Sequence, residues 1–403
     1  MSTLSERILG AEAGAYVDRK VDRAYAHDGT GVLALEAWKE MGGDRLGKET
    51  EYYLQFDHIA PANNSTTAGL QHELRAFAQK TSMHFSDIGC GICHQLMSEG
   101  VVLPGEIVVG ADSHSVTPGA FGAFATGVGA TDMAAIWLTG ETWFRVPESV
   151  GISLTGRLIG AAEAKDLALA CVAKLGMDGA TYQALEFVSE GAHHLTIDER
   201  LVLSNLSMEA GAKAGLFYAD DVTVRYLKER GHTVLPQEPE ACSYIKDIDI
   251  DLADIIPLLA VPPRVDTVKP VEDLAGLHLD QVFVGTCTNG RYSDLARFAR
   301  LVKGRKVAVR TIVVPASEEI LKKAIRTGVL ADIVEAGCTI GTPGCGPCLG
   351  YHMGVLGEGE VCLSTANRNF KNRMGVGGEI YLGSVATAAA GALAGEITSP
   401  EAA

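Results

Sequence analysis

Short apolar segments recur along the chain, and each is followed by a cluster of polar residues and then by a helical pattern. Residues 106–110 form one such segment and lead into Ala-Asp-Ser-His at 111–114, and residues 281–285 lead into Thr-Cys-Thr-Asn-Gly at 286–290. This alternation of strand and helix signals predicts an α/β fold. Because open α/β sheets bind ligands at the carboxyl ends of their strands, the polar clusters predict where the functional site lies.

The length of the chain predicts more than one domain. Its 403 residues exceed what a single hydrophobic core usually serves, and a content of 47% hydrophobic and 21% charged residues is typical of packed globular proteins. Pro147 ends a region dense in Gly, His and Asp, and the Pro-rich segment 261–270 lacks periodicity and is typical of a linker. These boundaries predict three α/β/α domains, over 1–147, 148–264 and 265–403.

Charge and hydropathy argue against nucleic-acid and membrane partners. The formal net charge is −16, whereas proteins that bind nucleic acid normally carry a basic face. The N-terminal residues contain no apolar signal core. The most apolar stretch, residues 119–138, is rich in Gly and contains Asp132, so it predicts buried core and not a membrane span. We therefore expect a cytoplasmic protein in which a local group of arginines can still hold an anionic substrate.

The nine cysteines provide the strongest chemical signal. An odd number in a cytoplasmic protein favours metal ligation and buried thiols over a set of disulfides. Cys345 and Cys348 form a C-x-x-C pair on a Gly- and Pro-rich loop, and Cys287 follows a predicted strand upstream. Such loops suit an iron–sulfur cluster because few bulky side chains obstruct it. Three protein ligands leave one coordination position open, which is typical of a catalytic metal site.

Other uses of the cysteines stay open on spacing alone. Buried thiols, a redox pair or half of a zinc site would give the same C-x-x-C pattern, and Cys338 is a candidate fourth ligand. Cys90 and Cys93 form a second pair beside His94, but no further pair with zinc-site spacing follows. The remaining cysteines fit ordinary core positions: Cys171, Cys242 and Cys362.

The chain resembles the aconitases in a series of motifs that occur in the same order. The resemblance runs from about residue 22 to about residue 382, and many ordered motifs are far more specific than any one of them. The motifs are Phe56-Asp57-His58, Gly91-Ile92-Cys93-His94-Gln95, Gly110-Ala111-Asp112-Ser113-His114, the segment 204–212, the loops around Cys287 and around Cys345 and Cys348, and Asn367-Arg368-Asn369-Phe370.

The resemblance implies a [4Fe–4S] cluster in which one iron has no cysteine ligand. By match, Cys287, Cys345 and Cys348 hold the cluster, Asn367 is a cluster-supporting amide, and Asn289 is assigned the same role. The open iron is expected to act as a Lewis acid on the hydroxyl and a carboxylate of the substrate, without transfer of an electron.

The resemblance also implies acid–base and substrate-binding residues. A paired carboxylate and imidazole can deliver a proton to departing hydroxide, and a guanidinium fork can grip both oxygens of a carboxylate. The acid–base candidates are Asp57, His58, His94, Asp112, His114 and Glu209. The substrate-binding candidates are His27, Asp28, Ser113, Asn205, Arg291, Arg368 and Arg373. Taken singly, a core histidine, a capping aspartate or a surface arginine would explain each position, and only the ordered set favours catalytic roles.

Two departures from full-length aconitases bear on the function. Those proteins continue into a swivelling domain that carries a serine base, whereas this sequence stops at Ala403 and shows no counterpart. The resemblance therefore implies a separate small subunit that supplies the swivel domain, the serine and much of the contact with the variable arm of the substrate. In addition, Arg291 stands where aconitases have small polar residues, and Thr-Asn-Gly-Arg at 288–291 is similar to the split members of the family.

These features predict the large subunit of a hydro-lyase that acts on a small di- or tricarboxylic acid. The first expectation is the 3-isopropylmalate dehydratase type, which converts 2- into 3-isopropylmalate through isopropylmaleate in leucine biosynthesis. The alternatives are the homoaconitase type and the citramalate or 2,3-dimethylmalate type. Rivals from other classes are an RNA-binding aconitase relative, a zinc scaffold built on four cysteines, and a C-x-x-C redox protein.

Overall fold

The structure is a computed structural model, and it describes residues 2–240 and 242–401. The strands, in chain order, are β1 (Tyr16–Lys20), β2 (Arg23–His27), β3 (Glu51–Gln55), β4 (His84–Ser86), β5 (Ile107–Gly110), β6 (Phe124–Gly127), β7 (Glu141–Arg145), β8 (Ser149–Thr155), β9 (Ala184–Val188), β10 (Ala214–Phe217), β11 (Lys246–Asp251), β12 (Leu258–Ala260), β13 (Val268–Pro270), β14 (Gln281–Val284), β15 (Arg310–Val313), β16 (Thr339–Ile340), β17 (Val361–Ser364) and β18 (Glu379–Leu382).

Helices alternate with these strands. The α-helices are α1 (Leu4–Leu9), α2 (Thr30–Glu40), α3 (Ser65–Thr81), α4 (Cys93–Ser98), α5 (Ala130–Thr139), α6 (Ala164–Leu175), α7 (Ile197–Leu206), α8 (Asp221–Glu229), α9 (Thr286–Asn289), α10 (Tyr292–Val302), α11 (Glu318–Arg326), α12 (Val329–Glu335) and α13 (Val385–Ala394). Short 3₁₀ helices cover Ser113–Phe121, Glu190–His194, Ser207–Ala210, Leu252–Asp254, Val271–Leu274 and Gly346–Leu349. In the described part of the chain, no helix has both the length and the apolarity needed to cross a bilayer.

The chain divides into two compact units that are each assembled from separate stretches. The first unit contains Met1–Asp87, Cys93–Gly156 and Asp178–Asp251, and the second contains Ile88–Ile92, Arg157–Met177 and Leu252–Ala403. Parallel strands alternate with helices in both units, which confirms the α/β class predicted from the sequence. The division into three domains stays a prediction.

The first unit is organised around a five-stranded parallel sheet with the strand order β4-β3-β2-β5-β6. The chain starts at β2, adds β3 and β4 on one side, and then returns to add β5 and β6 on the other. The order therefore reverses between β2 and β5, and such a reversal opens a crevice at the carboxyl ends of the two strands. A four-stranded parallel sheet, β10-β9-β8-β11, and an antiparallel pair, β1-β7, complete the strands of this unit.

The second unit repeats this arrangement in a seven-stranded sheet with the order β13-β12-β18-β17-β14-β15-β16. The pairings of β12 are antiparallel and the others are parallel. From β14 the chain first adds β15 and β16 on one side and later adds β17 and β18 on the other. A second reversal therefore lies between β14 and β17.

The Pro-rich segment 261–270 is not the open linker that its composition predicts. It connects β12 to β13 and includes β13 itself, and the two strands pair antiparallel with Leu258 opposite Pro270. The N–H of Val261 also donates to the carbonyl oxygen of Thr267 at 2.7 Å. Proline is tolerated in such a connection and in an edge strand, because a missing N–H there removes no bond from the interior of the sheet. The segment is therefore part of a folded sheet.

Candidate active site

The strand order of the first unit brings together residues that are far apart in the sequence. His27 is the last residue of β2, and Asp112 follows β5, which ends at Gly110. The reversal of strand order lies between these two strands. Asp57 and His58 follow β3, the neighbour of β2 on its other side. The polar residues that end or follow β2, β3 and β5 therefore lie at one edge of this sheet, where open α/β sheets bind their ligands.

The carboxylate of Asp112 lies among four imidazole rings. Its Oδ1 is 2.8 Å from His94 Nε2 and 3.7 Å from His114 Nδ1, and its Oδ2 is 3.7 Å from the Nε2 atoms of both His27 and His58. Burial opposes the ionised form, but the hydrogen bonds and charges of the surrounding imidazoles outweigh burial and hold the pKa of Asp112 well below its usual range. Asp112 is therefore an anion that can orient the surrounding imidazoles and stabilise a proton that they carry.

Asp57 and His58 form a buried acid–imidazole pair. The Oδ1 of Asp57 is 2.6 Å from Nδ1 of His58, and its Oδ2 accepts the backbone N–H of Cys93 at 2.7 Å. Burial opposes ionisation of Asp57, yet the neighbouring imidazoles of His58 and His27 lower its pKa. This pairing fixes the ring of His58 so that its other nitrogen, Nε2, faces Asp112.

His27 belongs to the same group, and its Nδ1 accepts the backbone N–H of Gly29 at 3.1 Å. Burial disfavours its charge, but the carboxylates of Asp112 and Asp28 outweigh burial and raise the pKa of His27 to about 10. Its ring stacks on that of His58, with the ring centroids 3.5 Å apart. Asp28 stabilises the loop after β3, because its carboxylate accepts the backbone N–H groups of His58 and Ile59 at 2.9 Å each. A contact between Asp28 and substrate stays a prediction.

His114 connects Asp112 to a second carboxylate. Its Nε2 is 2.8 Å from Oε1 of Glu209, and both side chains are buried. Asn205, on α7, donates to the hydroxyl of Thr117 at 2.8 Å, and that hydroxyl donates to the carbonyl oxygen of His114 at 2.6 Å. Glu209 therefore contacts the ring of His114 directly, and Asn205 supports the backbone of His114 through the hydroxyl of Thr117. Ser113, next to His114 in the chain, is half-buried.

Tyr25 is a positioning residue that the sequence did not reveal. Its hydroxyl lies 2.9 Å from Nδ1 of His94, whose Nε2 faces Asp112. Tyr25 lies inside β2 and is fully buried. In sequence it is indistinguishable from a core aromatic residue, and the only available signal was that a buried tyrosine hydroxyl normally needs a partner.

The predicted cluster ligands follow the strands of the second unit in the same way. Cys287 follows β14 and Asn367 follows β17, the two strands between which the order reverses, while Cys345 and Cys348 follow β16. Each of the three cysteines is 7% exposed. Gly346, between the last two, has a φ of 56°, a conformation that favours glycine.

The amide of Asn367 lies between two of the three sulfur atoms. Its Nδ2 donates to Sγ of Cys287 at 3.4 Å, and its Oδ1 is 3.8 Å from Sγ of Cys348. Arg373 Nη2 is also 3.8 Å from the Cys348 sulfur. Within the described residues, the buried Nε of Arg373 and Oδ1 of Asn289 have no hydrogen-bond partner. Buried thiols with nearby N–H donors fit an iron–sulfur cluster, because such donors stabilise the negative charge of the thiolates and sulfides.

Arg291 supports the Cys287 loop from inside. Its guanidinium donates to the backbone carbonyl oxygens of Thr288 and Cys287, the second at 2.6 Å, and the side chain is 2% exposed. These bonds give Arg291 a positioning role in the loop, while its predicted contact with substrate stays a prediction. Arg368 is half-buried beside Asn367 in the chain.

Lys165 is a buried lysine beside the cysteine loops, and the sequence analysis did not identify it. Its Nζ donates to the carbonyl oxygens of Thr365 and Ala366 at 2.8 and 2.6 Å. Burial lowers the pKa of Lys165 to about 7, against the opposing effect of nearby acidic groups, of which Cys287 is the largest. Lys165 precedes Leu169 and Val172 at helical spacing on α6. That spacing places a lysine on an apolar face, where a charge needs buried partners, and was the signal available in the sequence.

Replacing Lys165 by methionine is expected to loosen the backbone that carries Asn367. The two carbonyl groups lose a charged donor, and a buried acceptor without a partner costs roughly 1–3 kcal/mol. We expect the free energy of unfolding of the metal-free protein to fall by about 2–4 kcal/mol and the iron content after reconstitution to fall with it. Denaturant unfolding and iron analysis measure these changes. Lys269→Met, at an exposed lysine of the same unit, is the matched control, and equal stability of the two variants would remove this role from Lys165.

Comparisons with known proteins find relatives that align over nearly the whole chain. The Aconitase family (aconitate hydratase) matches residues 4–276 and 267–395. A probable methanogen homoaconitase large subunit of Methanosarcina mazei is 53% identical over 94% of this chain and 98% of its own length. The homoaconitase large subunit of Thermus thermophilus is 51% identical over 99% of this chain and 97% of its own length.

Relatives named 3-isopropylmalate dehydratase large subunits are less identical to this chain than these two. The 3-isopropylmalate dehydratase large subunit 1 of Methanopyrus kandleri is 44% identical over 99% of this chain and 98% of its own length. Among solved structures, the holo-form of aconitase X from Thermococcus kodakaraensis aligns with a TM-score of 0.55 and 11% identity, covering 87% of this chain and 84% of that chain. At that identity the structural likeness concerns the fold alone.

Proposed function

Because this chain belongs to the aconitase family, we propose that it is the large subunit of a hydro-lyase that removes water from a substituted malate and adds it back at the neighbouring carbon. The observation that carries the proposal is the amide of Asn367 between the sulfur atoms of Cys287 and Cys348. This contact brings Cys287 and Cys348 from distant parts of the sequence to one amide, which supports a cofactor shared between them.

Cys287, Cys345 and Cys348 are the residues that would hold a [4Fe–4S] cluster. When bound, the cluster supplies a Lewis-acidic iron at the corner that no cysteine holds. Asn367 and Arg373 contribute polar N–H groups near the sulfur atoms of Cys287 and Cys348.

The acid–base work is proposed for the group around Asp112. Dehydration needs one group to remove a proton from carbon and another to protonate the departing hydroxide. Asp57 fixes the ring of His58, and Asp112 holds His94 and His27 within reach of its carboxylate. His114 and Glu209 form a further pair through which a proton can pass between an imidazole and a carboxylate. The proton on carbon is assigned to the serine of a small subunit, as the resemblance implies.

A small subunit is part of the proposal. The relatives that align over nearly their whole length with this chain are named large subunits, which supports a partner that completes the enzyme. That partner would carry the swivel domain and the serine base. The substrate is proposed to be a small di- or tricarboxylate, gripped by the guanidinium groups of Arg368 and Arg373.

Two activities with different substrates are proposed, and relatives of this chain are named for each of them. The sequence at 288–291 is similar to the split members of the family as a group, among which 3-isopropylmalate dehydratase is the first expectation, and relatives with that name are 43% and 44% identical. Two relatives named homoaconitase large subunits are 53% and 51% identical, although a third, from Methanocaldococcus jannaschii, is 44% identical. The two higher identities favour homoaconitase as the second candidate to test alongside the first.

The test is an anaerobic assay of the chain with its small subunit. After reconstitution with iron and sulfide, hydration of isopropylmaleate, cis-homoaconitate and citraconate is followed by the loss of absorbance of the double bond. Turnover of isopropylmaleate well above the other two would establish the leucine-pathway activity, and preference for cis-homoaconitate would establish the homoaconitase activity. Absence of turnover of all three by a cluster-loaded complex would refute the proposed substrate class.

A further inference from the structure

A cavity of about 620 Å³ opens beside Asp112 in the first unit. Asp112 and Ser113 form part of its polar wall, and Lys213 and Tyr182 line it as well. The apolar part of the lining includes Leu33, Val116, Val128 and Met208. The cavity is therefore mainly apolar, with an acidic group and a basic group in its walls, which is typical of a site that binds a small ligand with few polar contacts.

Lys213 is tied closely to the Asp112 loop. Its Nζ donates to the carbonyl oxygen of Gly127 at 3.1 Å and lies 5.7 Å from the centroid of the Tyr182 ring. Gly127 in turn packs against the backbone of Asp112, because a Cβ at Gly127 would lie 2.6 Å from the Asp112 carbonyl oxygen. A single glycine therefore separates the lysine from the backbone of the residue at the centre of the acid–base group.

The charge of Lys213 is not neutralised by an acidic partner. Within residues 2–240 and 242–401, its side chain has one hydrogen bond, to Gly127, and no carboxylate within ion-pair distance. An ammonium has three donors, so two stay available. Burial lowers the pKa of Lys213, with Asp132 opposing, but the carboxylate of Asp132 accepts the N–H of Gly129 at the start of its own helix.

Two further positive features lie near Lys213 and Tyr182. The helix α5 begins at Ala130, which lines the cavity together with Gly129, and the N-terminus of a helix favours negative charge. Arg145 lies 5.8 Å from the centroid of the Tyr182 ring that Lys213 also approaches. Lys213 and the N-terminus of α5 therefore provide positive charge on one side of a cavity whose lining also includes the Asp112 carboxylate.

We propose that this cavity receives the variable arm of the substrate and that Lys213 binds a carboxylate at the end of that arm. The inference rests on the proposed function and names its substrate class as a tricarboxylate, such as homocitrate, in preference to a malate with a branched alkyl arm. The apolar lining accommodates the methylene groups of the arm, and the ammonium of Lys213 binds its charge. Lys213 is thus the contribution of the large subunit to a recognition that it shares with the small subunit.

The experiment uses the cluster-loaded complex of the chain with its small subunit. Lys213→Met removes the charge at similar length, Lys213→Arg keeps it, and Lys80→Met removes an exposed lysine of the same unit as a control. KM and kcat are measured for cis-homoaconitate and isopropylmaleate, and the Kd of homocitrate is measured by titration calorimetry, which does not depend on turnover. A hydrogen bond to a charged group predicts that Lys213→Met raises KM for cis-homoaconitate about 10- to 100-fold more than KM for isopropylmaleate.

A matching rise in the Kd of homocitrate, partial recovery in Lys213→Arg and wild-type behaviour of Lys80→Met would complete the expected result. An equal rise in KM for both olefins would overturn the proposal, because it would indicate that Lys213 only positions other residues. No change in KM for either olefin would overturn it as well, because Lys213 would then not contact the substrate. If the wild-type complex turns over neither olefin, the proposed function fails. In that case a Lys213-dependent Kd for homocitrate would still support this binding site, and absence of homocitrate binding would overturn it.

Discussion

Replacing Cys345 by serine is expected to abolish turnover and the visible absorption of the cluster while the fold is retained. A serine hydroxyl is a poor substitute for a thiolate ligand, and loss of the Lewis acid removes several kcal/mol of transition-state stabilisation. We therefore expect activity to fall by at least about a thousandfold, since each 1.36 kcal/mol is a factor of ten. Iron and sulfide analysis, visible spectroscopy and the hydration assay measure the three consequences. Circular dichroism tests whether the fold is retained.

Cys338 provides the matched control for this substitution. It is as buried as Cys345, at 7% exposure, and burial raises the pKa of its thiol to about 11. A thiol that resists ionisation is a poor metal ligand, so Cys338→Ser is expected to keep the iron, the sulfide and the activity. Loss of metal from the Cys338 variant, or zinc without sulfide in the wild type, would favour the four-cysteine zinc scaffold. A Cys345 variant with a full cluster would exclude Cys345 as a ligand.

The placement of the candidate site at strand ends could be predicted from the sequence. The apolar segments before residues 111 and 286 are strands β5 and β14, and Asp112 and Cys287 follow them. The reversal of strand order that makes these ends a crevice could not be predicted, because hydrophobic periodicity carries no information on which strands are neighbours. His27 and Asp112 approach within 3.7 Å only because β2 and β5 pair.

The residues that the sequence analysis missed or misread share a physical cause. Tyr25 and Lys165 act through hydrogen bonds to groups from other strands and loops, so their roles depend on tertiary neighbours. Arg291 also has a positioning role that the sequence does not reveal, because its guanidinium donates to carbonyl groups of its own loop, and its contact with substrate stays a prediction. The segment 261–270 was misread because prolines signal a break in secondary structure whether the flanking strands pair or not.

The negative charges of the carboxylates around Asp112 depend on the positive charge of the neighbouring histidines. Asp28, Asp57 and Asp112 have lowered pKa values, and Asp28 and Asp57 are buried. Ionised carboxylates in such surroundings require positive partners, and His27, with its pKa raised to about 10, is one of them. A change of one carboxylate is therefore expected to alter the protonation of its neighbours as well as its own contact.

Asp57→Asn is expected to lower kcat by about a thousandfold or more, because a fixed acid–imidazole pair loses its orientation and its charge together. The amide has nearly the same shape, but it has a single acceptor oxygen and a donor NH₂, so it cannot accept from both His58 Nδ1 and the N–H of Cys93, as the two oxygens of Asp57 do. His58 must then change its tautomer or turn away from Asp112. We expect the iron content to stay unchanged and the effect to appear in kcat more than in KM.

The pH dependence of the same variant tests the link between these charges. Asp57 contributes to the raised pKa of His27, so removing its charge should lower that pKa, which nuclear magnetic resonance of the histidine rings can measure. Asp18→Asn, at an exposed strand position of the same unit, is the control and should leave both kcat and the histidine titration as they are. If Asp57→Asn keeps kcat within about threefold of wild type, which is less than 1 kcal/mol, His58 does not act through this pair. The remaining candidates for the acid–base role would then be His94, His114 and Glu209. These residues do not depend on Asp57, because His94 contacts Asp112 and His114 contacts Glu209.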